Sequence, residues 1–136
     1  MEKEQLKRIF KFLEEKGEHK APFLWKLENN IPLTEEDLNI EGDLNLHSYK
    51  KLTSLPKGLK VGGSLSLIFA NIESLPEGLK VGDNLYLQHS KITSLPKGLK
   101  VGGVMFIEYT PFKKYTDDEL REMVKPGFIK GKIHRK

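Results

Sequence analysis

LTSLPKGLKV (residues 52–61), IESLPEGLKV (72–81) and ITSLPKGLKV (92–101) are one phrase written three times, each followed by a glycine and a short apolar-polar-apolar run. Aligned on Val61, Val81 and Val101, the phrase recurs every twenty residues. A fixed period in the range of roughly 20 to 50 residues marks a solenoid, whose units bury their apolar faces only by stacking on one another.

The alignment sorts the chain into columns. Leu44, Leu65, Leu85 and Met105 share one position, and Leu46, Leu67, Leu87 and Ile107 share the position two residues later. Leu52, Ile72, Ile92 and Phe112 form the next apolar column; Leu55, Leu75 and Leu95 precede Pro56, Pro76 and Pro96, and Leu59, Leu79 and Leu99 close each unit. The leucine-x-leucine pair has the period of two that sends both side chains to one face of a strand, so it is predicted to be the buried side of a short parallel strand. Proline after leucine excludes helix at the preceding residue, and Gly58, Gly78 and Gly98 permit the turn that follows.

The pattern LxLxxxxIxxLPxxL resembles the short bacterial type of leucine-rich repeat, and the wording SLPKGLKVGGSLSL is similar to small repeat proteins encoded in tailed-phage genomes. The resemblance covers residues 38–112 and extends to the C-terminal run KKYTDDELREMVKPGFIKGKI. It implies a leucine-rich-repeat-like solenoid and a phage-borne protein acting on a host protein or nucleoprotein complex, such as a component of a bacterial defence system that it blocks. One departure from the family pattern is that Ala70, Ser90 and Thr110 stand where the usual asparagine would satisfy backbone groups of the turn. That replacement implies a flatter stack.

At 136 residues the chain is read as a single α+β repeat domain: an N-terminal helical cap (1–38), a parallel β solenoid of about four coils (39–112), and a C-terminal helix with a basic tail (113–136). Charged residues make up 31% and hydrophobic ones 38%, a balance typical of globular chains rather than disordered ones. No window approaches the roughly 18 consecutive apolar residues of a membrane span, and MEKEQLKRIFKFLEEK is too charged for a secretory core. The absence of cysteine removes disulfide frameworks and thiolate metal sites and fits a reducing compartment. The expected location is the cytoplasm of a bacterial or infected host cell. The net charge of +4 is concentrated at the end, where eight Lys/Arg face four Asp/Glu over residues 113–136.

Leu6, Ile9, Phe10 and Leu13 predict an amphipathic helix over 3–16, and APFLWKLEN (21–29) a second one carrying the sole tryptophan, Trp25. Thr34 is placed to accept from the backbone of Asp37 at the start of a helical turn. The first coil is one residue longer than the others, with the extra residue inside HSYKK (47–51). Thr116 and Glu119 have capping-box spacing, opening a short helix that ends before Pro126. FIKGKIHRK either adds a strand or stays mobile. Val104 and Phe106 face outward from the fourth strand and are apolar; either the C-terminal helix covers them or they form an adhesive surface.

Catalytic constellations are not found in the sequence, and a non-enzymatic role without cofactor or metal is expected. His19, His47, His89 and His134 are dispersed, no serine stands in a nucleophile elbow, and GLKVGG lacks the lysine-serine/threonine ending of a phosphate loop. Asp117, Asp118, Glu119 and Glu122 are accounted for by the positive end of a helix. The outward positions favour binding, since a rigid frame with a mixed polar and aromatic face is how solenoids display a partner surface. The candidate protein-binding residues are Ile68, Phe69, Tyr86, Gln88, His89, Phe106 and Tyr109, with His47 and Tyr49 on the longer first loop. Ile68, Phe69 and Tyr86 lead. The competing reading is a nucleic-acid binder that uses the column Lys60, Lys80 and Lys100 with Lys130, Lys132 and Arg135 of the tail.

Overall fold

A computed structural model describes residues 20–135. The chain divides into two compact units, Met1–Asp37 and Leu38–Lys136. The helix predicted over 3–16 lies outside the described residues, as does His19.

In the first unit, α1 (Lys20–Glu28) forms where APFLWKLE was read as helical, with Phe23 buried and Trp25 half-buried. Its end is a left-handed residue, Asn30 at φ 55°, with Ile31 N–H donating to Lys26 O at 2.9 Å. This is the glycine-like stop that asparagine tolerates better than other side chains. A one-turn helix, α2 (Glu35–Leu38), follows. Thr34 Oγ1 accepts from Asp37 N–H at 3.1 Å and Asp37 Oδ2 accepts from Thr34 N–H at 2.9 Å, so the two ends of the turn satisfy each other. The Asp37 carboxylate also takes the Lys26 ammonium at 2.8 Å, both side chains being nearly buried. Burial pushes the Asp37 carboxyl upward, but the Lys26 hydrogen bond and charge and the Thr34 donors outweigh it and hold the group below its ordinary range.

The second unit is a parallel β solenoid. Each level contributes two short strands, and the strands assemble into two parallel sheets. One sheet holds β1 (Asn39–Ile40), β3 (Lys60–Val61), β5 (Lys80–Val81), β7 (Lys100–Val101) and β9 (Phe128–Ile129), in that order. The other holds β2 (Leu44–Asn45), β4 (Leu65–Ser66), β6 (Leu85–Tyr86), β8 (Met105–Phe106) and β10 (Ile133–His134). Register follows the sequence columns: Val61 pairs with Val81 and Val81 with Val101; Leu65 pairs with Leu85 and Leu85 with Met105. Leu59, Leu65, Leu67, Leu79, Leu85, Leu87, Ile92, Leu99 and Phe112 are fully buried.

The corner between the two sheets explains the glycines that follow Val81 and Val101. A Cβ on Gly82 would sit 2.2 Å from Gly62 O, and one on Gly102 would sit 2.2 Å from Gly82 O. Backbones pass so closely there that only glycine fits. A relay of side chains then ties successive levels: Asp43 Oδ1 accepts from Ser64 N–H, Ser64 Oγ from Asn84 N–H, and Asn84 Oδ1 from Val104 N–H, at 2.7, 3.2 and 2.9 Å.

FIKGKIHRK adds a strand to each sheet. GFIKGKI repeats the logic of GLKVGGVM, but its register step from Val101 to Ile129 is longer because a 3-10 turn (Pro111–Lys114) and α3 (Asp117–Met123) intervene. Thr116 and Glu119 form the reciprocal capping box, and Leu120 and Val124 are buried. In the level before, Val101 O and Gly103 O accept from Lys130 and Gly131 N–H. The corresponding carbonyls of the last level, Ile129 O and Gly131 O, accept instead from the two Nη atoms of Arg121. The Arg121 guanidinium thus stands in for the backbone donors of a further level, and a strand edge that would otherwise template pairing is occupied.

Two predictions follow from this packing. Asp37→Asn is expected to cost about 1–3 kcal/mol at neutral pH, because it removes the buried carboxylate charge that the Lys26 ammonium and the Thr34 N–H share. Since the folded-state carboxyl titrates below its unfolded value, that contribution is complete above the ordinary carboxylate range and disappears as pH falls through the lowered value, so urea melts of wild type and variant should converge in acid. Arg121→Leu should lower stability by about 1–3 kcal/mol through the orphaned carbonyls and produce concentration-dependent association in sedimentation velocity.

Candidate functional site

The outward face of the β2–β10 sheet carries the candidate residues. Ser66, Tyr86, Phe106 and His134 are adjacent in register, so their side chains form one column. The Tyr86 and Phe106 rings stack with centroids 4.8 Å apart and planes 7° apart, and Phe106 meets the tilted His134 ring at 5.2 Å. Tyr86 is positioned from beneath, since Asn84 Nδ2 donates to its Oη at 3.1 Å. Phe106 therefore lies half-buried between two rings of its own column, and Val104 is half-buried as well.

Two residues along each strand, Ile68, Gln88 and Glu108 form the second column, in line with His47. Gln88 Nε2 donates to Glu108 Oε2 at 3.3 Å, and Glu108 Oε1 lies 3.0 Å from His134 Nδ1. These contacts tie the second column to the end of the first.

The third column stands on the turn that leaves each strand. Phe69, His89 and Tyr109 all have φ of 58°, and Ser48, in the same position of the first level, has 59°. The turn is closed by backbone alone: Ala70 N–H donates to Leu67 O at 3.0 Å and Ser90 N–H to Leu87 O at 3.1 Å. This explains how Ala70 and Ser90 replace an asparagine there. Phe69 stacks on His89 at 4.2 Å and 9°, and His89 on Tyr109 at 4.5 Å and 13°. His47 approaches the outer side of Phe69 edge-on at 6.2 Å. Phe69 is 44% exposed and Tyr109 79%.

The two aromatic columns differ energetically. Rings on a strand suit its geometry, and a cross-strand stacked pair adds about 0.5–1.5 kcal/mol. A side chain other than glycine in the left-handed region gives up about 1–2 kcal/mol of backbone energy. For Phe69, His89 and Tyr109 the two ring stacks at most offset that cost.

Tyr49 falls outside these columns. It is half-buried, and its N–H donates to Leu46 O at 3.0 Å, which places it in the position of Ala70 and Ser90. The extra residue of the first coil is absorbed just beyond it. There the Lys50 ammonium donates to Phe69 O, and Asn71 Nδ2 donates to Lys50 O at 3.1 Å.

The lysines form a column of their own on the other sheet. Lys60, Lys80 and Lys100 are paired in register and exposed, and the next position is Phe128. Of the tail residues, Lys130 lies 5.6 Å over the Phe128 ring and Lys132 is exposed. Arg135 donates to Asp117 Oδ1 at 2.7 Å and to Tyr115 O at 2.6 Å, so its charge is engaged within the fold. Among the described residues no group of three or more His, Asp or Glu side chains is arranged to hold a metal ion, and no helix is long and apolar enough to cross a membrane.

No family model, curated protein or solved structure matches this chain.

The left-handed turn position had a readable signal, since three aromatic or imidazole side chains recur where a repeat turn favours glycine or asparagine. Asn84→Ala removes both the acceptor for Val104 N–H and the donor to Tyr86 Oη. It is expected to cost about 1–3 kcal/mol and to loosen the Tyr86–Phe106 stack, seen as altered ring chemical shifts in NMR spectra.

Proposed function

We propose that this chain is a non-catalytic protein-interaction module whose contact surface is the aromatic face of the β2–β10 sheet. The observation that carries the reading is the in-register stacking of Tyr86 on Phe106 and of His89 between Phe69 and Tyr109. Stacking fixes the rings before any partner arrives, so little side-chain entropy remains to be lost on binding, and tyrosine is enriched among interface hot spots. Ile68, Gln88 and His47 fill the space between the columns.

Size sets a further condition. Five strands spaced about 4.8 Å apart make a face of only a few hundred Å², whereas a specific interface takes roughly 800 Å² from each partner. The partner therefore also engages the longer first loop or a flanking segment. The finer architecture belongs to this reading: four leucine-rich-repeat-like coils, with residues 1–38 and 113–136 as their caps. The resemblance to tailed-phage repeat proteins supports the biological form, an inhibitor that occupies the surface of a host defence protein in the bacterial cytoplasm.

The second reading, nucleic-acid binding, is favoured by the in-register Lys60, Lys80 and Lys100 column. Engagement of Arg135 within the fold weakens it.

Affinity capture from bacterial lysate with quantitative mass spectrometry tests the first reading. A specific partner should be retained by wild type and by the triple Lys60→Gln, Lys80→Gln, Lys100→Gln variant, and lost with Phe69→Ala, Tyr86→Ala, Tyr109→Ala. Binding to generic duplex DNA with a steep fall in log K against log salt, lost in the lysine variant and unaffected by the aromatic one, would establish the second reading instead.

A further inference from the structure

The two aromatic columns answer different needs. Tyr86 and Phe106 occupy strand positions in which a stacked pair favours the fold itself. Phe69, His89 and Tyr109 occupy left-handed turn positions in which glycine would fold at least as well. Unfavourable backbone conformations held by bulky side chains concentrate where a surface is used rather than where it is merely built.

The turn column also has a directional geometry. Stacking occupies the inner ring faces, while Tyr109, 79% exposed as a residue, ends the row. Exposed lysines follow it closely in the chain: Lys91 two residues after His89, and Lys113 and Lys114 in the 3-10 turn after Tyr109. Glu108, the one acid between His89 and Thr116, is already bonded to Gln88 and His134. The stretch of chain that carries His89 and Tyr109 is thus basic.

We propose that the turn column Phe69–His89–Tyr109 is the contact hot spot, and that its occupant is an acidic protein segment. An apolar or aromatic side chain of that segment extends the stack on the free face of Tyr109, and its carboxylates meet Lys91, Lys113 and Lys114. This assignment rests on the protein-interaction reading above and specifies its chemistry.

The test compares Tyr109→Gly with Tyr86→Ala in the full chain, by thermal unfolding and by binding to three defined probes: a glutamate–tyrosine copolymer, polyglutamate and an oligothymidylate. The expected result is a reversal of order. Tyr109→Gly should keep or raise the melting temperature while weakening copolymer binding by about tenfold; Tyr86→Ala should lower the melting temperature and weaken binding less. Should Tyr86→Ala fail to fold, Phe106→Leu carries the comparison. Lys91→Gln with Lys113→Gln and Lys114→Gln should weaken the copolymer too, and polyglutamate should bind more weakly than the copolymer. The assignment is overturned if the copolymer does not bind, if polyglutamate binds as tightly, or if Tyr109→Gly is the more destabilising variant. Copolymer binding that depends on Tyr86 more than on Tyr109 would overturn the hot spot and leave the interaction module standing. Oligothymidylate binding tighter than copolymer binding, and lost with Lys60→Gln, Lys80→Gln and Lys100→Gln, would overturn the module itself.

Discussion

Close approach of backbone to backbone at the glycine corner is the constraint on which the solenoid depends. Gly82 lies over Gly62 and Gly102 over Gly82 with no room for a methyl group between them. The absence of a side chain there lets the levels close to the strand spacing that their backbone hydrogen bonds require, at which valine pairs with valine and leucine with leucine. Once levels sit at that spacing, equal sequence positions must superpose. The interior then becomes columns of leucine, and the exterior becomes columns of whatever side chains lie between them.

Superposition turns a short sequence variation into a surface. Ser66, Tyr86, Phe106 and His134 change from level to level while the leucines around them do not, so the outward column grades from polar to aromatic along the stack. The same rule lines up Lys60, Lys80 and Lys100, where like charges meet across neighbouring strands. Such pairs oppose the sheet, yet exposed lysines also discourage the pairing of sheets between molecules. The aromatic columns have no comparable explanation in solubility, which is why they carry the functional argument.

The period of twenty and its apolar columns made the solenoid legible from the sequence, because each buried position is repeated at least three times. Phe69, Tyr86, His89 and Tyr109 were legible as outward positions by the same alignment. Their stacking was not, since it depends on the ring orientations at each level. The final level was legible only in part, since FIKGKIHRK was open to reading as one strand and supplies two. Ile129 follows Val101 at a longer step than the repeat, and α3 fills the difference. The role of Arg121 could not be read either, because its acceptors, Ile129 O and Gly131 O, become neighbours only after the last level has paired. Tyr49 was grouped with the surface residues, but the extra residue of the first coil shifts the alignment, and the turn places it with Ala70 and Ser90.

Amide hydrogen exchange by NMR tests the stacked register most directly. In the structure the Leu65, Leu67, Leu85 and Leu87 N–H groups each donate to the next level, at Asn84 O, Tyr86 O, Val104 O and Phe106 O. They should exchange together, as one protected block that opens with the solenoid as a whole. Rapid exchange at Leu65 and Leu85, or protection of one level without its neighbours, would contradict a stack in which no level is stable without the next.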